Sequence, residues 1–161
     1  MIVKDLRDED FINYKKPSMF IAFPSCTFKC EKDCGKKMCQ NSALVNSPDI
    51  VITTYKLCTR YLSNRITKAV VCGGLEPMDS FEELYSFIYT LRFQYKCNDD
   101  VVIYTGYTKE ECEKNNWIYK LAHLGNIVIK FGRFIPDQQA HYDEVLGVKL
   151  MSDNQYAERI S

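Results

Sequence analysis

The chain lacks a long apolar run, carries almost no histidine and has no net charge, and each shortage removes a class of function. No apolar stretch approaches the roughly 20 residues that a membrane-crossing helix needs. The opening MIVKDLRDED lacks the basic-then-apolar order of a secretory leader. The expectation is therefore a cytoplasmic protein with no membrane partner. Lysine plus arginine equal aspartate plus glutamate at 21 each, a formal net charge of zero. A polyanion finds no general attraction there, and no nucleic-acid partner is expected. His123 and His141, the two histidines, have no second His or Cys near them at ligand spacing. Internal repeats and low-complexity linkers are missing too.

What the chain has in excess is cysteine. There are eight in 161 residues, and in a reducing compartment that number points to metal or redox chemistry before disulfides. Four of them, Cys26, Cys30, Cys34 and Cys39, fall in the stretch Phe23–Ser42, FPSCTFKCEKDCGKKMCQNS. Thiolates bind soft metals, and three or four on one short loop can surround an iron–sulfur cluster or a zinc ion. The pairs Cys26/Cys30 and Cys34/Cys39 have the inner spacing of a structural zinc site, so a zinc-stabilised, non-enzymatic interaction domain stands as one reading. Cys58, Cys97 and Cys112 fall in or beside expected helices and read as packing thiols, as does Cys72 at a strand end. Lys29, Lys32, Lys36 and Lys37 read as the solvated surface of the loop. Their charge also suits an acidic electron donor, flavodoxin-like or another reductant.

The length is that of a single domain spanning 1–161, with the cysteine loop at 24–41. Met19–Phe23 is an uninterrupted apolar run, as expected of a strand covered on both faces. Further strands are expected at Ile66–Cys72, Val101–Tyr104 and Ile127–Phe131. A last one is expected at Leu146–Met151, and Met1–Val3 reads as an edge strand before a turn ending at Pro17-Ser18. Ser47, followed by Pro48, predicts a helix start, with Val51, Tyr55, Cys58 and Leu62 as the buried face and Asn64 as its end. A second helix starts at Asp79 or Ser80 and buries Phe81, Leu84, Phe87, Ile88 and Leu91. Thr108 and Glu111 form a capping-box pattern opening a third helix that runs to Leu124. Alternating strands and helices predict an α/β fold with a mainly parallel sheet of repeated βαβ units. Four or five strands cannot close an eight-stranded barrel. The expectation is an open sheet or a partial, incomplete TIM-like barrel, with the loops after Phe23, Cys72, Tyr104 and Phe131 along one rim.

Gly73-Gly74, directly after a strand, lets a ligand lie against bare backbone because no Cβ intervenes. Glu76 offers a carboxylate to a cationic group such as an ammonium. A Gly-Gly pair in this position also serves as an ordinary turn. The stretch is neither a dinucleotide fingerprint nor a phosphate-binding loop, since the later glycine and the Gly-Lys-Ser/Thr ending are both missing.

Taken together, the two stretches resemble the radical S-adenosylmethionine superfamily, and within it the small activating proteins of anaerobic ribonucleotide reductase. The resemblance matches Cys26, Cys30 and Cys39 to the three cluster-binding cysteines, with Met38 before Cys39 and Gln40-Asn41 after it. Gly73, Gly74, Glu76 and Pro77 match the element that contacts the methionine part of the cofactor. VVIYTGY (101–107) and Ser152-Asp153-Asn154-Gln155 match two further pieces of the activators. Eight residues separate Cys30 from Cys39 where the family has two, and Leu75 is inserted between Gly74 and Glu76. Cys34 stays open as ligand or bystander. The resemblance implies a [4Fe–4S] cluster and S-adenosylmethionine as cofactors. It also implies reductive cleavage of that cofactor to install a glycyl radical on the large ribonucleotide reductase subunit. The same chemistry on another protein or on a small molecule is a second reading. Phe28, inside the loop, is a candidate cover for cluster or adenine, and plain loop packing accounts for it equally well.

Overall fold

The computed structural model describes every residue except Met38 and Gln40, so those two neighbours of Cys39 lie outside the described residues. In chain order the elements are β1 (Ile2–Val3), β2 (Asp5–Asp10), β3 (Ser18–Phe23), α1 (Lys29–Cys34), β4 (Ile50–Val51), α2 (Thr54–Ser63), β5 (Ala69–Gly74) and α3 (Phe81–Tyr89). There follow β6 (Asp100–Tyr104), α4 (Lys109–Lys114), α5 (Trp117–Ala122), β7 (Ile127–Phe131), β8 (His141–Asp143), β9 (Val148–Leu150) and β10 (Tyr156–Arg159). A six-stranded sheet in the order β10-β7-β6-β5-β3-β2 organises them. Its inner strands β3, β5, β6 and β7 are parallel neighbours in chain order. Antiparallel β2 and β10 form the two edges, so the sheet does not close.

The apolar runs behave as read. β3, β5 and β7 are buried along their whole length. One face of the sheet, carrying Ile21, Cys72, Ile103 and Ile129, packs against Leu57, Leu84, Phe87 and Leu121 of the helices. The other face, carrying Phe20, Val71, Val102 and Val128, packs against Tyr14, Leu146 and Leu150. The β8–β9 hairpin is thus the lid on the face that lacks helices. No helix among the described residues is long and apolar enough to cross a membrane.

Several expected boundaries move. The helix expected to begin at Ser47-Pro48 begins at Thr54, where the Thr53 hydroxyl accepts the Lys56 amide at 3.2 Å. The segment before it forms a 3₁₀ turn, Ser42–Asn46, and then β4, which pairs with β1. Moving the start changes the buried face. Leu57, Cys58 and Tyr61 are buried, while Val51, Tyr55 and Leu62 are exposed. β2, DLRDED, is the sheet edge in place of Met1–Val3, and its run of charges suits an edge that must not pair with another chain. The helix expected from Thr108 to Leu124 splits at Asn116, whose left-handed backbone (φ 59°) cannot continue a helix. The Leu146–Met151 strand shortens to Val148–Leu150 and joins the hairpin, and β10 supplies the outer strand beside β7.

Candidate metal and cofactor site

The loops after β3, β5, β6 and β7 meet at one rim, around a cavity of about 430 Å³. Cys26, Cys30 and Cys39 all line it, together with Gly73, Gly74 and Glu76. Cys34 is exposed at the end of α1 and is not among the lining residues. Cys58, Cys72, Cys97 and Cys112 are buried in the helix-side core. Phe28 is half-buried ahead of α1 in a left-handed backbone. Pro77 is buried at the start of a 3₁₀ turn. Neither Phe28 nor Pro77 lines the cavity.

Hydrogen bonds stitch the cysteine loop to the Gly-Gly loop. The Glu76 amide donates to Ser25 O at 2.7 Å, and the Thr27 amide to Asp79 Oδ2 at 2.7 Å. Asn41 Nδ2 donates to Gly74 O at 2.7 Å, so both ends of the cysteine loop reach the same strand end. The Cys39 amide donates to Glu31 Oε1 at 3.1 Å. Gly74 sits at φ +84°, and a Cβ there would stand 2.7 Å from Ala22. Only glycine permits that approach.

Glu76 is the polar centre of the rim. It is 6% exposed. Its Oε1 accepts Thr105 Oγ1 at 2.8 Å and the Met78 amide at 3.1 Å, and its Oε2 accepts the Gly106 amide at 2.8 Å. Burial pushes its carboxyl up to about 7, against those three donors. A carboxylate has roughly four lone-pair sites, so three internal bonds leave room for one donor from a ligand. Glu76 is both brace and potential ligand contact.

A charged network fastens α1 from outside. Glu111 is the third residue of the α4 capping box, and its side chain accepts the Thr108 amide. It also accepts Lys29 Nζ and Arg133 Nη2, the latter at 2.9–3.0 Å. Arg133 Nε pairs with Asp33 Oδ2 at 3.4 Å, and both cations lie over the Tyr107 ring. The cysteine loop is therefore clamped to the ends of β6 and β7.

Burial pushes the Cys26 thiol up to about 12, opposed by the Phe28 amide, with Glu76 and Asp79 adding to the rise. Cys30 is raised by burial and then by Cys39. With no cation present these groups stay protonated. A bound metal would reverse that, because its positive charge favours thiolate. Among the described residues no three His, Cys, Asp or Glu gather around a point fit for a single ion. The three thiols instead border a shared space, and that donor set fits an iron–sulfur cluster.

The sequence brings Cys26, Cys30, Cys39, Gly73, Gly74 and Glu76 to notice, and the fold brings them together. It left out Lys130, Arg133 and Asp79. Lys130 carried a signal, a charge inside the otherwise apolar IVIKF strand. Ser152-Asp153-Asn154-Gln155 caps the loop after β7. Asn154 Nδ2 donates to Arg133 O at 2.9 Å, and Gln155 Nε2 to Gly132 O at 3.4 Å. A family model described as "4Fe-4S single cluster domain" matches residues 18–156, from β3 into β10. No curated protein and no solved structure matches the chain.

Proposed function

Because the chain belongs to the 4Fe-4S single cluster domain family, we propose that it is a radical S-adenosylmethionine enzyme that activates an anaerobic ribonucleotide reductase. The observation that carries this reading is the shared cavity. Three thiols, a glycine-bare strand end and a buried carboxylate line one space. Cys26, Cys30 and Cys39 would hold the cluster, leaving one of its four irons without a protein ligand. When bound, the cluster supplies an electron for the reductive cleavage of S-adenosylmethionine.

The chain's own residues do the positioning. Gly73 and Gly74 expose backbone at the rim, and the remaining acceptor capacity of Glu76 suits an ammonium. Asn41 and Asp79 hold the cysteine loop against that rim through Gly74 O and the Thr27 amide. Phe20, Tyr104 and Leu150 give part of the cavity an apolar wall. Domain extent 1–161, an incomplete TIM-like barrel, a cytoplasmic location, the large reductase subunit as target and a flavodoxin-like or other reductant as electron donor complete the proposal. The four strands β3-β5-β6-β7, added in one direction, support the barrel reading.

The test is anaerobic reconstitution with iron and sulfide, followed by EPR of the dithionite-reduced protein with and without S-adenosylmethionine. The expected result is a reduced-cluster signal that the cofactor reshapes. It should vanish in Cys26→Ala, Cys30→Ala and Cys39→Ala and survive Cys34→Ala. A cluster signal indifferent to S-adenosylmethionine would leave an iron–sulfur protein and sink the radical reading. Radical formation on a reductase chain, mixed in under the same conditions, tests the target.

A further inference from the structure

Tyr107 shares a small cleft with Cys26 and Cys30, the first two thiols of the loop. Its hydroxyl donates to Asp79 Oδ1 at 2.7 Å, and Asp79 Oδ2 accepts the Thr27 amide beside Cys26. Lys29 Nζ lies 5.6 Å and Arg133 Cζ 5.8 Å from the centroid of the Tyr107 ring. From that ring an unbroken file of aromatics leads away from the thiols. Tyr107 meets Trp117, the chain's single tryptophan, edge-on with centroids 5.3 Å apart. Trp117 stacks on Phe81 at 5.6 Å. Phe81, Tyr85, Tyr89 and Phe93 follow at four-residue steps along α3 and the turn after it, with centroids 6.1, 6.3 and 4.6 Å apart. Phe81 is buried, Trp117 and Tyr85 are half-buried, and Tyr89 and Phe93 reach the surface at 46% and 48% exposed.

Packing alone accounts for ring pairs at helical spacing. It does not account for the start of the file, a phenol whose proton already has a carboxylate to receive it. Oxidising a phenol makes it a strong acid. With two cations over its ring, Tyr107 cannot hold a further positive charge, so Asp79 is the condition for oxidising it. Indole and phenol are, after thiolate, the side chains that give up one electron most readily. Electron tunnelling falls off steeply with distance, so near neighbours pass charge in steps.

We propose that Tyr107, Trp117, Tyr85 and Tyr89 form a redox relay that carries a one-electron oxidation from the thiol loop to the surface. The oxidant is a thiyl radical on Cys26 or Cys30, left when an oxygen-derived oxidant takes one electron from the thiolate. Tyr107 gives that sulfur an electron, which restores the thiolate. Its O–H bond breaks and the proton passes to Asp79 Oδ1. Trp117 then gives Tyr107 an electron, and Asp79 returns the proton. Tyr85 reduces Trp117 across Phe81, which bridges the two rings and is itself not oxidised. Tyr89 reduces Tyr85, and these two phenols exchange their protons with water. A soluble thiol finally reduces Tyr89 at the surface. The loop thiolate is recovered before it can be oxidised further to sulfenic or sulfinic acid. The radical resides on the chain's own sulfur, so no step requires S-adenosylmethionine.

The test makes the thiyl radical directly. The metal-free full chain carries Cys30→Ser, Cys34→Ser and Cys39→Ser, and its Cys26 is S-nitrosated, as verified by mass. A light flash under argon splits the S–N bond in the presence of a nitroso spin trap, and peptide mass mapping locates the trapped radical. The same chain with Cys26→Ser sets the background from the buried Cys58, Cys72, Cys97 and Cys112. Trap adduct should appear on Tyr89 above that background. It should fall to background in Trp117→Phe, with adduct gathering on Tyr107, and stay in Tyr119→Phe, which alters an exposed tyrosine outside the file. Circular dichroism shows whether Trp117→Phe is folded. Should it not be, Tyr85→Phe takes its place, with the adduct held on Tyr107 and Trp117. Background labelling of Tyr89 in the parent chain overturns the relay. So does Tyr89 labelling that survives the break in the file, or that Tyr119→Phe abolishes as fully.

Discussion

Replacing Gly74 with alanine would put a methyl group 2.7 Å from Ala22 Cα and Cβ, in a backbone at φ +84°. Gly35 also has positive φ, at +66°, but a Cβ there meets nothing within 4 Å. The two substitutions separate conformational strain from crowding. Gly35→Ala should cost about 1 kcal/mol from the left-handed backbone alone. Gly74→Ala should cost about 2–4 kcal/mol, since β5 must also move away from β3. Urea unfolding of the two metal-free variants checks the difference. Equal costs would mean that the strand ends give way without resistance.

At the scale of elements, Glu111 serves two masters and the two can be told apart. As the third helical residue it caps α4, and as an anion it holds Lys29 and Arg133. Glu111→Gln keeps a capping-box side chain and loses the charge. Amide exchange in α1 should then quicken about fivefold, the size of a half-exposed ion-pair network, while α4 stays protected. Glu111→Ala should loosen α4 as well. Hydrogen exchange resolved by segment reads both outcomes. The elements legible in the sequence were those with unambiguous apolar runs, such as Met19–Phe23 and Ile127–Phe131. β2 was illegible because edge strands are selected for charge, and DLRDED gives no apolar alternation to read. Ser47-Pro48 has the chemistry of a helix start, but Ile50–Val51 are taken by β1 and the helix waits for Thr53. Of the site, thiols and glycines announce themselves by type. Lys130 and the clamp through Glu111 depend on which strands become neighbours, and local sequence does not encode that.

For the molecule as a whole, acid is the informative stress. Asp100, at the start of β6, receives Arg159 Nη1 at 3.0 Å, Lys16 Nζ at 2.5 Å and Tyr14 Oη at 3.0 Å. It thereby ties the β2–β3 connection and the outer strand β10 to the sheet centre. Burial raises its carboxyl, and the bonds from Arg159, Lys16 and Tyr14 outweigh that, holding it at about 2 against an ordinary 3.8. The folded value lies below the unfolded one, so the stabilisation is complete above pH 4 and is lost as pH falls toward 2. It amounts to about 2 kcal/mol. Asp100→Asn should be less stable by that amount at pH 7, and its stability should converge on the wild type near pH 2 in urea titrations. Parallel curves over that range would assign the effect elsewhere. The cavity, for its part, takes its lining from Arg7 through Gln155, nearly the whole span of the chain. On the ribosome the thiols of the cysteine loop emerge well before Leu150 and Gln155, which wall the same space. A nascent chain thus presents soft-metal donors with no enclosure around them, and each parallel pairing must wait for a distant strand. Enclosed loading with iron therefore waits until the chain has been made as far as Gln155 and the sheet has assembled around the cysteine stretch.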